Sequence, residues 1–384
     1  MATSNNNKAL NVPHLRFPEF TGEWRYSSLG KECNILCGYP FDGQDMQESC
    51  GNVKLLRGIN ITEGEIRHSN ELDRYYSGDT SRLGKYILKE GDLVIGMDGS
   101  KVGRNSAILT ICEQGSYLVQ RVCRIRSQKH NVEYIFQHIN NSKFHRHVDS
   151  VKTASAIPHI SQSDIQDYVV SFPPTAEEQI KITSLLSLLD ARIATQNKII
   201  EKLKTLIKAL SHKLTTQKKP NTLLKDCLVG HSSTLLESHI KGKGQYPVFG
   251  ATGICGYTDK SDISGDSILI IKDGAGVGTT TYATGKYSVI GTLNYLQSTQ
   301  EHYSLLYIYY SLKTFDFRPY ITGMAIPHIY FRDYGKAKIW CPDIVEQKRI
   351  ATVLRTMDAK LQTEQSILWN LTSQKQYFLS QIFI

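Results

Sequence analysis

No stretch of this 384-residue chain stays apolar long enough to cross a bilayer, a crossing that takes about 20 consecutive apolar residues. The opening Met1–Lys8 is polar and lacks the apolar core of a signal peptide. A cytoplasmic protein with no membrane partner is the expectation. Eight cysteines are present, but no CxxC pair is repeated. Cys33 and Cys37 stand four apart with no second pair to complete a zinc set, so reduced thiols are expected rather than a structural metal. Nowhere does Gly-Lys-Ser/Thr close a glycine-rich loop, which excludes a Walker-type phosphate cradle.

Acidic residues are also in short supply. Against 45 Lys and Arg stand 36 Asp and Glu, for a net charge of +9, which suits an acidic partner such as nucleic acid. The excess is uneven. Residues 176–219 hold nine cations against four anions, whereas residues 1–175 hold 20 against 19 and residues 220–342 hold eleven against nine. An anion-binding face in the nearly neutral segments requires their charges to be segregated in space.

What the chain has in abundance is itself. Ile157-Pro158-His159-Ile160 recurs as Ile326-Pro327-His328-Ile329, an offset of 169 residues. Pro174, Glu178, Gln179, Asp190 and Ala191 recur as Pro342, Glu346, Gln347, Asp358 and Ala359, an offset of 168. Register kept over dozens of residues implies two copies of one unit, each a globular part followed by a long helix, and hence a pseudo-twofold. The expected boundaries are a first domain over 1–175, a helix over 176–219, a second domain over 220–342 and a helix over 343–384.

The helices follow from spacing. Ile182, Leu186, Leu189, Ile193, Gln196, Ile200, Leu203, Ile207, Leu210 and Leu214 alternate steps of four and three. So do Ile350, Leu354, Met357, Leu361, Glu364, Leu368, Leu371, Lys375, Phe378 and Ile382. A seam this narrow and this long seeks another helix rather than a domain surface. Thr175 and Asp343 are placed to cap the helix starts, and Glu178 and Glu346, three residues on, to complete capping boxes. Each helix would run about 60 Å. Gln196 and Glu364 are equivalent and central, so an antiparallel pair would bring them into one polar layer that fixes register; the alternative is two side chains bent out to solvent.

The globular parts read as α+β. Apolar runs such as Tyr86-Ile87-Leu88, Leu93-Val94-Ile95 and Ser267 to Ile271 are punctuated by glycine, with helices expected over Val132–Asn141 and Tyr303–Lys313. A glycine loop is duplicated too. Gly91 to Ile95 leads into Met97-Asp98-Gly99-Ser100-Lys101-Val102-Gly103-Arg104, and Gly265 to Leu269 leads into Lys272-Asp273-Gly274-Ala275-Gly276-Val277-Gly278. A strand followed by an Asp-Gly turn predicts a hairpin whose backbone can approach another surface closely.

The opening Val12-Pro13-His14-Leu15-Arg16-Phe17-Pro18-Glu19-Phe20 with Trp24, the duplicated glycine loops, the Pro-His-Ile blocks and the duplicated Pro-x3-Glu-Gln helix starts resemble specificity (S) subunits of type I DNA restriction-modification systems. Tyr246 to Tyr257 looks like an opening common in that family's recognition domains. The resemblance covers nearly the whole chain. It implies two target recognition domains, each reading half of a split double-stranded DNA site. It also implies an antiparallel pair of long helices that sets the gap and docks two modification (methyltransferase) subunits, with restriction or translocase subunits as further partners. No catalysis is expected in this chain, and S-adenosylmethionine, ATP and Mg would belong to the partner subunits.

The residues agree with a chain that does no chemistry. A DNA amino-methyltransferase needs an Asn/Asp/Ser-Pro-Pro-aromatic motif to hold a flipped base. Ser171-Phe172-Pro173-Pro174-Thr175 has no aromatic after its prolines. Pro342-Asp343 with Glu346-Gln347-Lys348 has a nuclease-like look, but copy one lacks both the Asp and the Lys. His145 and His147 lie close together without a ligand pattern that both copies share. Candidate DNA contacts are polar residues beside the duplicated blocks: Lys101, Arg104, Arg121, Lys152, Thr153 and His159 in the first domain, and Lys272, Tyr282, Arg318, Thr322 and His328 in the second. Arginine suits guanine and lysine suits phosphate, while the two histidines could instead be structural. The residues alone leave open a non-catalytic coiled-coil scaffold with two ligand- or peptide-binding domains.

Overall fold

The computed structural model describes residues 11–49, 53–240 and 243–383; the polar opening Met1–Lys8 lies outside the described residues. Two units are present, one formed by residues 1–194 with 369–384 and the other by residues 195–368. The first long helix, Ala176–Thr215, and the second, Ile344–Ile382, therefore each contribute residues to both units.

The first unit is built on a four-stranded antiparallel sheet in the order Asn34–Cys37, Val122–Arg126, Leu93–Gly96, Ser106–Ile108. Leu93–Gly96 is buried at every position, and its alternation serves two cores. Leu93 and Ile95 join Trp24, Tyr134 and Phe172, while Val94 faces Leu56, Leu88 and Leu118, as the two-residue period of a strand requires. A second sheet runs Met46–Gln47, Arg74–Tyr76, Val53–Leu56, Tyr117–Leu118, the last pairing being parallel.

The second unit repeats the plan. Its main sheet runs Leu228–Ser232, Leu293–Ser298, Ser267–Ile271, Thr280–Ala283. Here Ile268 and Ile270 face one core and Leu269 and Ile271 the other. The second sheet again holds a parallel pair, Tyr246–Gly250 with Lys286–Val289. Each unit also has a helix docked by one tyrosine. Tyr134, on Val132–Ile139, donates to the Ser171 carbonyl at 2.7 Å, and Tyr307, on Leu305–Lys313, donates to the Trp340 carbonyl at 2.6 Å.

Both glycine loops are hairpins, as the sequence predicts, with Leu93–Gly96 paired to Ser106–Ile108 and Ser267–Ile271 to Thr280–Ala283. Tyr86-Ile87-Leu88 is not a strand. Gly84–Tyr86 winds into a 3-10 turn, Ile87 makes only a bridge to Tyr117, and Leu88 drops into the core. The helix starts also differ from the expectation. Thr175 and Asp343 do accept from the Glu178 and Glu346 amides, at 3.3 and 3.0 Å, but neither glutamate reaches back to complete a box. Glu178 takes Arg16 bidentately at 2.7 and 2.8 Å and the Trp24 indole at 3.2 Å, and Glu346 pairs with Arg349.

Within each unit the long helices pair antiparallel. In the first, Ile182 and Leu186 share the core with Leu379, Ile382 and Phe383, and the Lys375 ammonium meets Asp190 at 2.6 Å. In the second, Leu210 and Leu214 pack on the core that holds Ile350, Ala351 and Leu354. Near the other end of that pairing the buried Gln196 amide donates to the Glu364 carbonyl at 3.0 Å and to its carboxylate at 2.5 Å.

His138 anchors the end of the second helix on the first unit. Its ring packs at a tilt against Phe383, with 4.1 Å between ring centroids, and meets Tyr134 edge-on at 4.9 Å. Burial, with the Lys143 charge adding to it, pushes its pKa down to about 3. The unfolded imidazole binds a proton below about pH 6.5, and the folded one does not until near pH 3. Stability from this group is therefore full above about pH 6.5 and is lost as pH falls from there. His138→Phe should gain stability relative to the parent by up to about 1.4 kcal/mol per pH unit between pH 6 and 4. Denaturant melts across that range check it, and a pH-independent difference would contradict it.

Candidate nucleic-acid interface

The blocks that recur in the sequence meet in space. In the first unit the Gly99 amide donates to the Pro158 carbonyl at 3.0 Å, and the Ile160 amide to the Met97 carbonyl at 3.0 Å. In the second, the Gly274 amide donates to Pro327 at 2.9 Å, and Ile329 to Lys272 at 2.9 Å. The ladder extends one rung on either side. The Met97 amide takes the Arg121 carbonyl at 2.9 Å, and Thr153 takes His159 at 3.0 Å. The matching bonds are Lys272 to Thr292 at 3.0 Å and Thr322 to His328 at 2.9 Å. Gly99 and Gly274 make this approach possible with φ of 88° and 94°, a backbone region that residues with a Cβ seldom visit.

In each ladder an aspartate pairs through the backbone with a histidine, Asp98 with His159 and Asp273 with His328. The histidines are then held differently. His159 Nδ1 lies 2.9 Å from the Thr153 hydroxyl, whereas His328 Nδ1 faces the Asp273 carboxylate at 3.4 Å. One backbone frame thus presents two side-chain sets. Thr153, His159, Thr322, His328, Lys272 and Arg121 are all members of the ladders.

The other sequence candidates attach less directly. Arg104 and Lys152 share the Asp149 carboxylate, at 2.6 and 2.7 Å, and together hold it down to about pKa 2. Lys101 pairs with Glu63 at 2.9 Å, tying in a loop between strands Val53–Leu56 and Arg74–Tyr76. That loop comes within reach of the ladder, since a Cβ on Gly58 would stand 3.7 Å from the Asp98 carboxylate and 3.9 Å from the Arg121 carbonyl. Tyr282 is engaged elsewhere: its hydroxyl donates to Asp266 at 2.8 Å and its ring packs on Tyr309. Burial, followed by the Asp266 contact, pushes its pKa up. Arg318 is well exposed and pairs with its neighbour Asp316.

Four participants were missed from sequence. Asp98 and Asp273 stand inside the duplicated motif, where their recurrence was a usable signal. Glu63 carries no such signal, being 38 residues from Lys101, and although Asp149 stands three residues before Lys152, nothing in the spacing announces its pairing with Arg104, 45 residues away. Among the described residues no group of three His, Cys, Asp or Glu is placed to hold a metal ion, and no helix is long and apolar enough to cross a membrane.

The second ladder has little room at Gly323. With φ of 90° there, an added Cβ would fall 2.3 Å from the Ile326 carbonyl and 2.8 Å from His328 Nε2. Gly323→Ala should therefore open the Thr322–His328 pairing. Amide exchange at those two residues should accelerate by roughly tenfold or more, given a strain of about 1–3 kcal/mol; unchanged exchange would contradict it.

Comparison with known proteins gives this geometry a family. A model of the type I restriction modification DNA specificity domain matches residues 23–205 and again residues 227–372. The EcoBI specificity subunit of a type I restriction enzyme from Escherichia coli is 27% identical over 186 residues, which is 47% of this chain and 36% of that protein. The match thus spans about a third of that relative's length. The S subunit of a type I restriction-modification system from M. genitalium shares the fold with a TM-score of 0.67 at 16% identity, over 97% of this chain and 99% of that one. A chain from a structure concerned with complex assembly and conformational transition of the type I R-M system matches with a TM-score of 0.55 at 16% identity, over 94% and 97%. Two matches to one family model, one on each copy of the duplicated ladder, show that the chain belongs to the type I restriction-modification DNA specificity family.

Proposed function

We propose that this chain is the sequence-reading subunit of a type I restriction-modification complex. Each unit reads one half of a split, asymmetric site in double-stranded DNA. The observation that carries this reading is the duplicated ladder, in which matching backbone bonds present different side chains. Paired readers of one design suit a ligand with two comparable half-sites, and differences between their side chains suit two different half-site sequences.

In this reading the chain does no chemistry. Methyl transfer belongs to modification subunits that bring S-adenosylmethionine, and ATP and Mg belong to restriction or translocase subunits. The long helices set the gap between half-sites and offer the docking faces. Those helices do carry exposed apolar side chains, Leu188, Trp369 and Tyr377 in the first unit and Val345, Val353 and Ile367 in the second.

Replacing residues 220–342 with the counterpart from a related protein should change one half of the motif methylated by the assembled complex and leave the other half intact. A change in both halves would contradict the modular reading. DNA binding by the complex should weaken steeply with salt, roughly 10³-fold or more between 50 and 200 mM for six or more phosphate contacts. Salt-insensitive or absent binding would favour a scaffold with two peptide- or ligand-binding domains.

A further inference from the structure

Arg121 is the one non-glycine residue with positive φ among the described residues, at 74°. It occupies the third position of a turn closed by the Val122 amide on the Val119 carbonyl at 3.1 Å, a position that ordinarily selects glycine. The turn is pinned from two further sides. The Gln120 amide donates to the Tyr39 carbonyl at 2.8 Å, and the Arg121 carbonyl accepts from Met97 at 2.9 Å. Backbone strain kept by a pinned turn points to a requirement for the side chain.

That side chain is exposed. Lys101, Arg104, Lys152, Lys272 and Arg318 each have a carboxylate within 4 Å, and no such ion pair is found for Arg121 among the described residues. The counterpart turn in the second unit, closed by Leu293 on Ile290 at 3.0 Å, carries Thr292 where the first carries Arg121. Its carbonyl is held by Lys272 as Arg121's is held by Met97, but its hydroxyl is buried with no partner among the described residues. At one equivalent point on the ladder, one unit thus extends a guanidinium with no ion-pair partner among the described residues, and the other a short, half-buried side chain whose hydroxyl is covered.

We propose that Arg121 is a specificity-determining residue that reads a guanine edge in the half-site contacted by the first unit, and that Thr292 makes the second unit blind to guanine at the equivalent step. The guanidinium fork matches the guanine O6 and N7 acceptors bidentately, which no other base edge offers in the major groove. A turn fixed by three backbone bonds presents that fork with little left to order on binding. The inference rests on the proposed DNA-reading function and deepens it.

The test is methylation-aware sequencing of DNA modified by the complete complex carrying the parent chain, Arg121→Gly or Arg121→Lys. Glycine suits the left-handed turn, so the thermal midpoint of Arg121→Gly should equal or exceed the parent's. Its discrimination should fall at least tenfold at one guanine-containing position of one half-site, with the other half unchanged. Arg121→Lys, with the charge but not the fork, should lose most of the same discrimination. An unchanged motif in Arg121→Gly would overturn the proposal, and so would uniform weakening at all sites without altered base preference, which marks a phosphate contact. If the parent complex modifies no split motif at all, the DNA-reading function fails and this inference falls with it.

Discussion

Two backbone hydrogen bonds in each unit, from Gly99 to Pro158 and from Ile160 to Met97, with their matches from Gly274 to Pro327 and from Ile329 to Lys272, hold the glycine hairpin against the Pro-His-Ile block. The rest of the candidate interface depends on them. Main-chain donors and acceptors at a loop surface must be paired or solvated, and here they pair with each other, so two segments some sixty residues apart in sequence become one platform. Because the bonds use only backbone, the side chains around them are free to differ. The Thr153–His159 contact in one unit and the Asp273–His328 contact in the other are two outcomes on one frame.

The long helices answer to a different constraint. A seam of alternating spacing is apolar enough to be buried but cannot by itself choose a register. Within the second unit that choice falls to Gln196, whose amide is spent on both the carbonyl and the carboxylate of Glu364. Within the first it falls to Lys375 on Asp190 and to the aromatic seat that His138 and Tyr134 make for Phe383. Polar pairs are poor sources of net stability when buried. Their value here lies in forbidding a slipped pairing, which would strand the Gln196 amide without its acceptors.

Much of this architecture was legible because duplication turns weak signals into strong ones. A four-residue Pro-His-Ile block means little alone, but its recurrence at a fixed offset marks two copies of one unit, and the pairing of each block with its glycine loop appears only in the fold. The helices were legible because their spacing persists for over four heptads. What failed were local rules overruled by distant partners. The capping-box rule expects Glu178 to turn back on its own helix, but Arg16 and Trp24, over 150 residues away in sequence, claim its carboxylate. Tyr86-Ile87-Leu88 has the composition of a strand, yet Gly84 starts a turn there and Leu88 is drawn inward. Pairings such as Lys101 with Glu63 arise only when a loop folds over, and no spacing rule announces them.

In the proposed function this chain supplies the choice of sequence and other subunits supply the chemistry. Methylation-aware sequencing of the host genome, with the gene present and with it deleted, tests that most directly. With the gene present, one split motif of two unlike halves should be methylated throughout the genome, and deletion should abolish methylation at that motif alone. Methylation unchanged by the deletion, or lost at sites sharing no split motif, would contradict it.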